Sequence, residues 1–319
     1  MTETLPQCDV CTPLGFNNHQ KPDEAAVFIE AFKQWLCAHC LEERVADLDG
    51  VVSGLPDNAY HGDRTSLSSS GARTLLWQAP ARFRAEQQER PDPKPEYDFG
   101  HVAHKLILGV GEEIVEVDAT SWQTKAASDT RREAWAQGKI PILTKHMETA
   151  QLMAKRVHEH PLAAALLSTG DPEVSGFYRD PLTGVRLRWR ADWLHPGRSR
   201  IICVDYKTTK DASPRGFHKS IGEYRYHQQD AWYRDGLIAN EVDDDPLFLF
   251  IAQEKVPPYL VSVHECRDWQ LQRGRALNRK AIDRYAHCLE TNDWPGYGDG
   301  IHTVDLPTYI NYREEEMLA

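Results

Sequence analysis

No apolar run in the 319-residue chain approaches the roughly 20 residues that a membrane-spanning helix needs; the longest are PLAAALL and PLFLFIAQ. The amino terminus, MTETLPQCDVC, lacks a basic region followed by an apolar stretch, so no secretion signal is expected. Basic residues are in deficit, 37 Lys and Arg against 48 Asp and Glu, which disfavours a general nucleic-acid coat. The deficit is uneven: acids gather in GEEIVEVD, NEVDDD and REEE, arginines in RTLLWQAPARFR and VRLRWRADW. Internal repeats and low-complexity tracts are absent, and a hydrophobic content of 41% belongs to a folded chain. These features point to a soluble, cytoplasmic protein with no membrane partner. Cysteines are few, and in such a chain seven of them are not expected to build a disulfide framework. Cys203, Cys266 and Cys288 stand alone and read as core residues, whereas Cys8/Cys11 and Cys37/Cys40 form two CxxC pairs.

The pattern of the chain predicts a mixed α/β protein with a central sheet flanked by helices. Residues 1–50 form an N-terminal segment carrying both CxxC pairs, with a helix expected between them in PDEAAVFIEAFKQWL. VVSGLPDNAYHGD reads as a linker, and the main domain occupies 60–319. Helical spacing continues through SLSSSGARTLLWQAPARF, YDFGHVAHKLILGVG and about 144–167. The period then becomes two: EVSGFYRD, the turn DPLTG and VRLRWRADWLHP predict a hairpin, and SRIICVDYKTT the next strand. A helix in EYRYHQQDAWYRDGLIA, strands at PLFLFIAQEK and YLVSVHE, and a last long helix follow.

Two places carry chemistry. IICVDYKTT ends an apolar strand in Asp205 and Lys207, which alternation puts on one face, where an unpaired charge costs several kcal/mol, roughly. In the preceding strand Val185, Leu187, Trp189, Ala191 and Trp193 share one face, and Arg186, Arg188, Arg190 and Asp192 the other, where the arginines read as a solvated row. A short turn brings Asp192 near Asp205. Two carboxylates and a lysine at adjacent strand ends suit a Mg²⁺ site for phosphodiester hydrolysis, because Mg²⁺ takes one or two carboxylates and keeps waters for the substrate phosphate. His104 follows Gly100 by one helical turn, and Gln229 and Tyr233 lie at i and i+4.

The order G-x-x-x-H, E-V-S, A-D, V-D-Y-K-T-T and Y-H-x-Q-D-A-x-Y resembles the RecE/exonuclease VIII-type branch of the PD-(D/E)XK nucleases and, more widely, RecB-type nuclease domains. The resemblance covers about 60–319, including a tail WPGYGDGIHTVDLPTY of the type this branch carries. It implies a restriction-endonuclease-like α/β core. Asp192 and Asp205 would be metal carboxylates, His104 a further ligand and the Tyr206 carbonyl another, with Mg²⁺ or Mn²⁺ bound. Lys207 would position or activate water, and Glu173 would be a metal carboxylate or support one. Gln229, Tyr233 and Tyr226, with Arg188 and Arg190, would meet the DNA. Ala191 stands where the motif's name has proline. The resemblance further implies 5′-to-3′ resection of double-stranded ends, a homo-oligomeric ring, a single-strand-annealing partner and a bacterial or phage-infected host cell. A RecB-like nuclease acting on single strands or in a larger complex, or a catalytically silent DNA-end-binding protein, are the alternatives. Cys8, Cys11, Cys37 and Cys40 have the ligand type and pair spacing of a structural Zn²⁺ site, an iron–sulfur cluster being the other possibility.

Overall fold

The computed structural model describes residues 7–11, 27–29, 33–88 and 95–319. Its centre is a mixed sheet in the order β11(Val261–His264), β10(Leu247–Glu254), β9(Ile201–Thr209), β8(Arg186–Pro196), β7(Asp171–Arg179), β3(Gly50–Val52). Only β9 and β10 are parallel along this path; a short β4(Leu67–Ser68) also runs parallel beside the start of β8. The predicted hairpin is β7–β8, and the predicted strand IICVDYKTT is β9.

Helices cover both faces. On one, α3(Ser69–Trp77), α10(Tyr226–Ala239) and α11(Asp268–Thr291) enclose a core with Leu187, Trp189, Ala191, Cys203, Phe248 and Phe250. Trp189 is wedged between Gly176 of β7 and Gly236 of α10, where any Cβ would run into its indole. On the other face, α5(Pro95–Leu108), α7(Thr144–Glu159) and α8(Pro161–Leu167) pack Ala103, Ile107 and Val157 against Val204, Tyr206 and Ile251. α7 buries Ala150, Met153, Ala154 and Val157, the three-and-four spacing of an amphipathic helix. Ahead of it, β5(Ile114–Val117) and β6(Ile140–Leu143) form a parallel pair bridged by α6(Lys125–Ala136).

Several expectations are corrected. Between the CxxC pairs, Val27–Ile29 and Gln34–Leu36 are antiparallel strands β1 and β2, so among the described residues the expected helix is a hairpin. The stretch read as a linker supplies β3, which pairs with β7, and the helix α2(Asp57–Gly62). The alternation of β8 holds through Ala191 and then breaks, because Trp193 packs with the cluster on the opposite face. The row Arg186, Arg188, Arg190 is not solvated: each is at most 8% exposed. Arg186 bonds Asp63 at 2.8 Å and the carbonyls of Val45 and Leu48, and Arg188 lies 3.2 Å from the same carboxylate. Arg190 bonds Ser175 and the Leu55 carbonyl and stacks over the Tyr60 ring. A guanidinium does not lose its charge in a protein, so burying three of them requires this density of acceptors.

Candidate active site

The ladder between β8 and β9 runs from Pro196↔Ile201 to Trp193↔Val204 and stops. Asp192 and Asp205 occupy the next position in that register. On the other side of β8, Pro172↔Trp193 and Val174↔Ala191 pair, whereas Glu173 and Asp192 between them do not. Glu173 adopts φ +51°, a left-handed backbone that is uncommon away from glycine and costs on the order of 1 kcal/mol. One register row across β7, β8 and β9 therefore holds Glu173, Asp192 and Asp205, at a gap in the hydrogen-bond ladder. Like charges placed opposite on neighbouring strands repel, so the row calls for cations.

Groups from both faces enter this gap. From α5, His104 Nε2 lies 3.3 Å from Asp192 Oδ2 and Nδ1 lies 3.5 Å from Glu173 Oε1. From α10, Gln229 Nε2 donates to Asp205 Oδ1 at 2.7 Å. Lys207 Nζ lies 2.6 Å from Asp205 Oδ2, as strand alternation requires. The Tyr206 amide, past the end of the ladder, donates to Asp192 Oδ2 at 2.9 Å, so the carboxylate replaces a missing strand partner.

Charge follows geometry. Burial pushes His104 down, but Asp192 and Glu173 outweigh it and raise the imidazole to about 9. Burial and the neighbouring Asp192 raise Glu173 to about 7. Burial also raises Asp205, to about 6, against the pull of Lys207. Asp192 resists its burial and is lowered, chiefly by His104. One carboxylate is thus held below the usual range beside two that burial and their neighbours hold above it, an imbalance that a bound cation would relieve.

The residues fit a divalent ion. His104, Glu173 and Asp192 each offer one ligand atom, all within 4.8 Å of one another. Asp205 stands beside this trio, engaged by Lys207 and Gln229. The other expected contacts divide. Tyr226 stacks on Phe217 with Lys207 Nζ 5.4 Å from its ring centre, and Tyr233 packs edge-on against Phe248. Arg188 and Arg190 do not present free guanidinium groups, being bound to Asp63, Ser66, Leu55 and Asp57. The Tyr206 side chain points into the core and donates to Gln253 at 2.7 Å. Sequence reading missed Asp63 and Tyr60, which hold the arginine row; both lie in the stretch whose turn-like composition concealed their role.

The second cluster is the cysteines. Cys8, Cys11, Cys37 and Cys40 are buried with their sulfurs within 4.8 Å of one another, Cys11 Sγ being 3.2 Å from Cys40 and 3.6 Å from Cys37. Asp9 and Trp35 exchange backbone and side-chain bonds, tying the first CxxC to β2. The cluster is uneven: burial raises Cys37 and Cys40, whereas at Cys8 the amides of Cys37, Cys11 and Val10 outweigh burial and lower the thiol to about 7. Four sulfurs this close surround one ion more readily than a multi-iron cluster, which would hold them further apart.

No curated protein matches the sequence. The fold is similar to the crystal structure described as a "Putative exonuclease" from Eubacterium rectale, with a TM-score of 0.55 and 11% identity over 80% of this chain and 96% of that one. A second structure, that of SSO0001, covers 59% of this chain and 85% of its own at 14% identity, but its TM-score of 0.26 is too low to inform the fold. Residues 68–307 match the model of a family described as a PDDEXK-like domain of unknown function, DUF3799. With three quarters of its length so matched, enclosing His104, Glu173, Asp192, Asp205 and Lys207, the chain belongs to that PDDEXK-like family.

Proposed function

We propose that the protein is a divalent-metal-dependent DNA exonuclease acting on double-stranded ends in the 5′-to-3′ direction. The observation that carries this reading is the row Glu173, Asp192, Asp205 at the ladder gap, with His104 and Lys207 brought to it from α5 and β9. The fold shared with a protein described as an exonuclease supports the reading. Asp192, Glu173 and His104 would hold a Mg²⁺ or Mn²⁺ ion, with Asp205 and the Tyr206 carbonyl beside it. Such an ion supplies a water of lowered pKa and neutralises charge on the phosphate.

The protein's own groups do the remaining work. Asp192 is fixed by the Tyr206 amide, so its free oxygen has one direction. Gln229 and Lys207 hold Asp205 from two sides, and the Lys207 ammonium offers N–H donors to charge developing on the phosphate oxygens. Hydrolysis adds the hydroxyl of water to phosphorus and returns a proton to the departing sugar oxygen. The four cysteines are read as a structural Zn²⁺ site. An annealing partner for the exposed strand and assembly as a ring belong to the same proposal.

Linear duplex labelled at either the 5′ or the 3′ end, beside a closed circle of the same sequence, tests it. Early loss of the 5′ label in Mg²⁺, with the circle intact, is expected. Cutting of the circle would overturn the exonuclease reading, and early loss of the 3′ label would reverse the polarity.

A further inference from the structure

The arginines of β8 are spent on the protein itself, yet a DNA phosphate needs cations near the carboxylate row. Arg73 of α3 differs from them. Among the described residues its one hydrogen bond, from Nη1 to the Tyr224 carbonyl, is long at 3.4 Å and uses one of the five N–H donors of a guanidinium. A short chain of contacts leads from it to the carboxylate row: Arg73 holds the Tyr224 carbonyl, the Tyr224 ring stacks on Tyr226, and Tyr226 lies under the Lys207 ammonium that pairs with Asp205.

Around Arg73 lie two aromatic rings that the fold leaves open, Trp77 at 47% and Tyr224 at 54% exposure. Each is braced from behind. Trp77 donates to Gln228 at 3.2 Å and carries the Arg225 guanidinium 4.0 Å from its ring centre. Tyr224 stacks on Tyr226 at 5.5 Å, and Tyr226 in turn lies under Lys207 Nζ. α9(Pro214–Tyr224) and α10 are joined through Arg225 alone, in the left-handed conformation at φ +57°. A non-glycine residue in that region is strained, and here the strain sets Tyr224 and Tyr226 side by side at the mouth of the site.

We infer that Arg73, Trp77 and Tyr224 form a subsite for single-stranded DNA next to the scissile phosphate, with bases stacking on the two rings and the backbone phosphate on Arg73. The inference rests on the nuclease reading for its substrate class. Exposed rings interleaved with cations suit a single strand, because every base has a stacking face and paired bases do not expose theirs. A duplex end would therefore have to open by a few nucleotides as its strand enters.

The test uses the full chain and a short single-stranded oligonucleotide carrying 2-aminopurine, titrated in EDTA so that binding is read without cleavage. Wild type is expected to quench the fluorophore. Tyr224→Ala is expected to weaken binding by about tenfold and to lose the quench, and Tyr224→Phe to restore both. Arg73→Gln is expected to weaken binding and to lower the salt dependence by about one phosphate contact. Wild-type affinity and quench in both Tyr224→Ala and Arg73→Gln, or no binding by wild type, would overturn the subsite. Cleavage in Mg²⁺ or Mn²⁺ is scored separately. A wild type that binds and quenches as described but cuts no DNA sinks the nuclease reading and leaves the subsite standing. Variants that bind and cut like an active wild type do the reverse.

Discussion

Glu173 and Asp192 face each other across β7 and β8 at a position where the flanking residues pair and they do not. The protein thus accepts a left-handed glutamate and two opposed carboxylates two register positions from the open end of the β7–β8 hairpin. Without a bound cation this arrangement costs stability, and with one it is a binding site. Glu173→Gln is therefore expected to raise the melting temperature of the metal-free protein at pH 8 by a few degrees, roughly, while reducing the further rise on adding Mn²⁺. Thermal melts in EDTA and in Mn²⁺ check both signs; a lower metal-free melting temperature would count against the account.

His104 gives the site a pH signature. Its folded value, about 9, lies above its ordinary 6.5, so protonation favours the folded state. The stability it contributes is fully present below pH 6.5 and lost as the pH rises through about 9. The stability gap between wild type and His104→Gln in EDTA should close across that window. Metal has the opposite dependence, because a ligating imidazole must be neutral, so the Mn²⁺-induced stabilisation should grow from pH 6 to 9 with release of protons. Melts and proton-release calorimetry at several pH values check this: if His104 is not a ligand, the rise should end near pH 7, where Glu173 ionises, instead of continuing toward 9.

Asp63 anchors the arginine row. It is 4% exposed and pairs with both Arg186 and Arg188. Asp63→Ala leaves two buried guanidinium groups short of an anion, and a loss of about 3–5 kcal/mol is expected by urea denaturation. Ser66 and Thr65 hydroxyls also bond this carboxylate, so Asp63→Asn should be milder but still destabilising. A loss under 1 kcal/mol, roughly the value of an exposed pair, would show that the row is open to water.

The cysteine cluster makes a compositional prediction. Purified protein should contain one zinc per chain and be colourless. Cys40→Ser should lose the zinc and destabilise the N-terminal part, whose core continues through Tyr60 to Phe177 of β7. Visible absorbance with iron in the metal analysis would replace zinc with an iron–sulfur cluster.

The strands that carry Asp192, Asp205 and Lys207 were legible in the sequence because period two is local and an ion pair at i and i+2 has one geometric meaning. Glu173 was a candidate in the sequence, but its left-handed backbone and its place in register with Asp192 were not readable there. Within PDEAAVFIEAFKQWL the described residues, 27–29 and 33–36, are paired strands and not the expected helix, because the cysteines on either side fold back together and that closure outweighs local apolar spacing. β3 is three residues long, and nothing in GVV announces that β7 is its partner. The arginine row was misread for a related reason. Its cover, from Val45 to Ser66, comes from a distant stretch whose composition looks like a turn.

The central claim is that Glu173, Asp192 and His104 hold the ion that hydrolyses DNA. Calorimetric titration of Mn²⁺ into wild type and Asp192→Asn, with cleavage of linear duplex measured on the same samples, tests it most directly. The account predicts a Mn²⁺ site in wild type, cleavage that EDTA abolishes, and loss of both in Asp192→Asn beyond the roughly 100-fold that changes outside the ligand shell reach. Cleavage by wild type in EDTA, or an Asp192→Asn protein that binds Mn²⁺ and cuts like wild type, would contradict it.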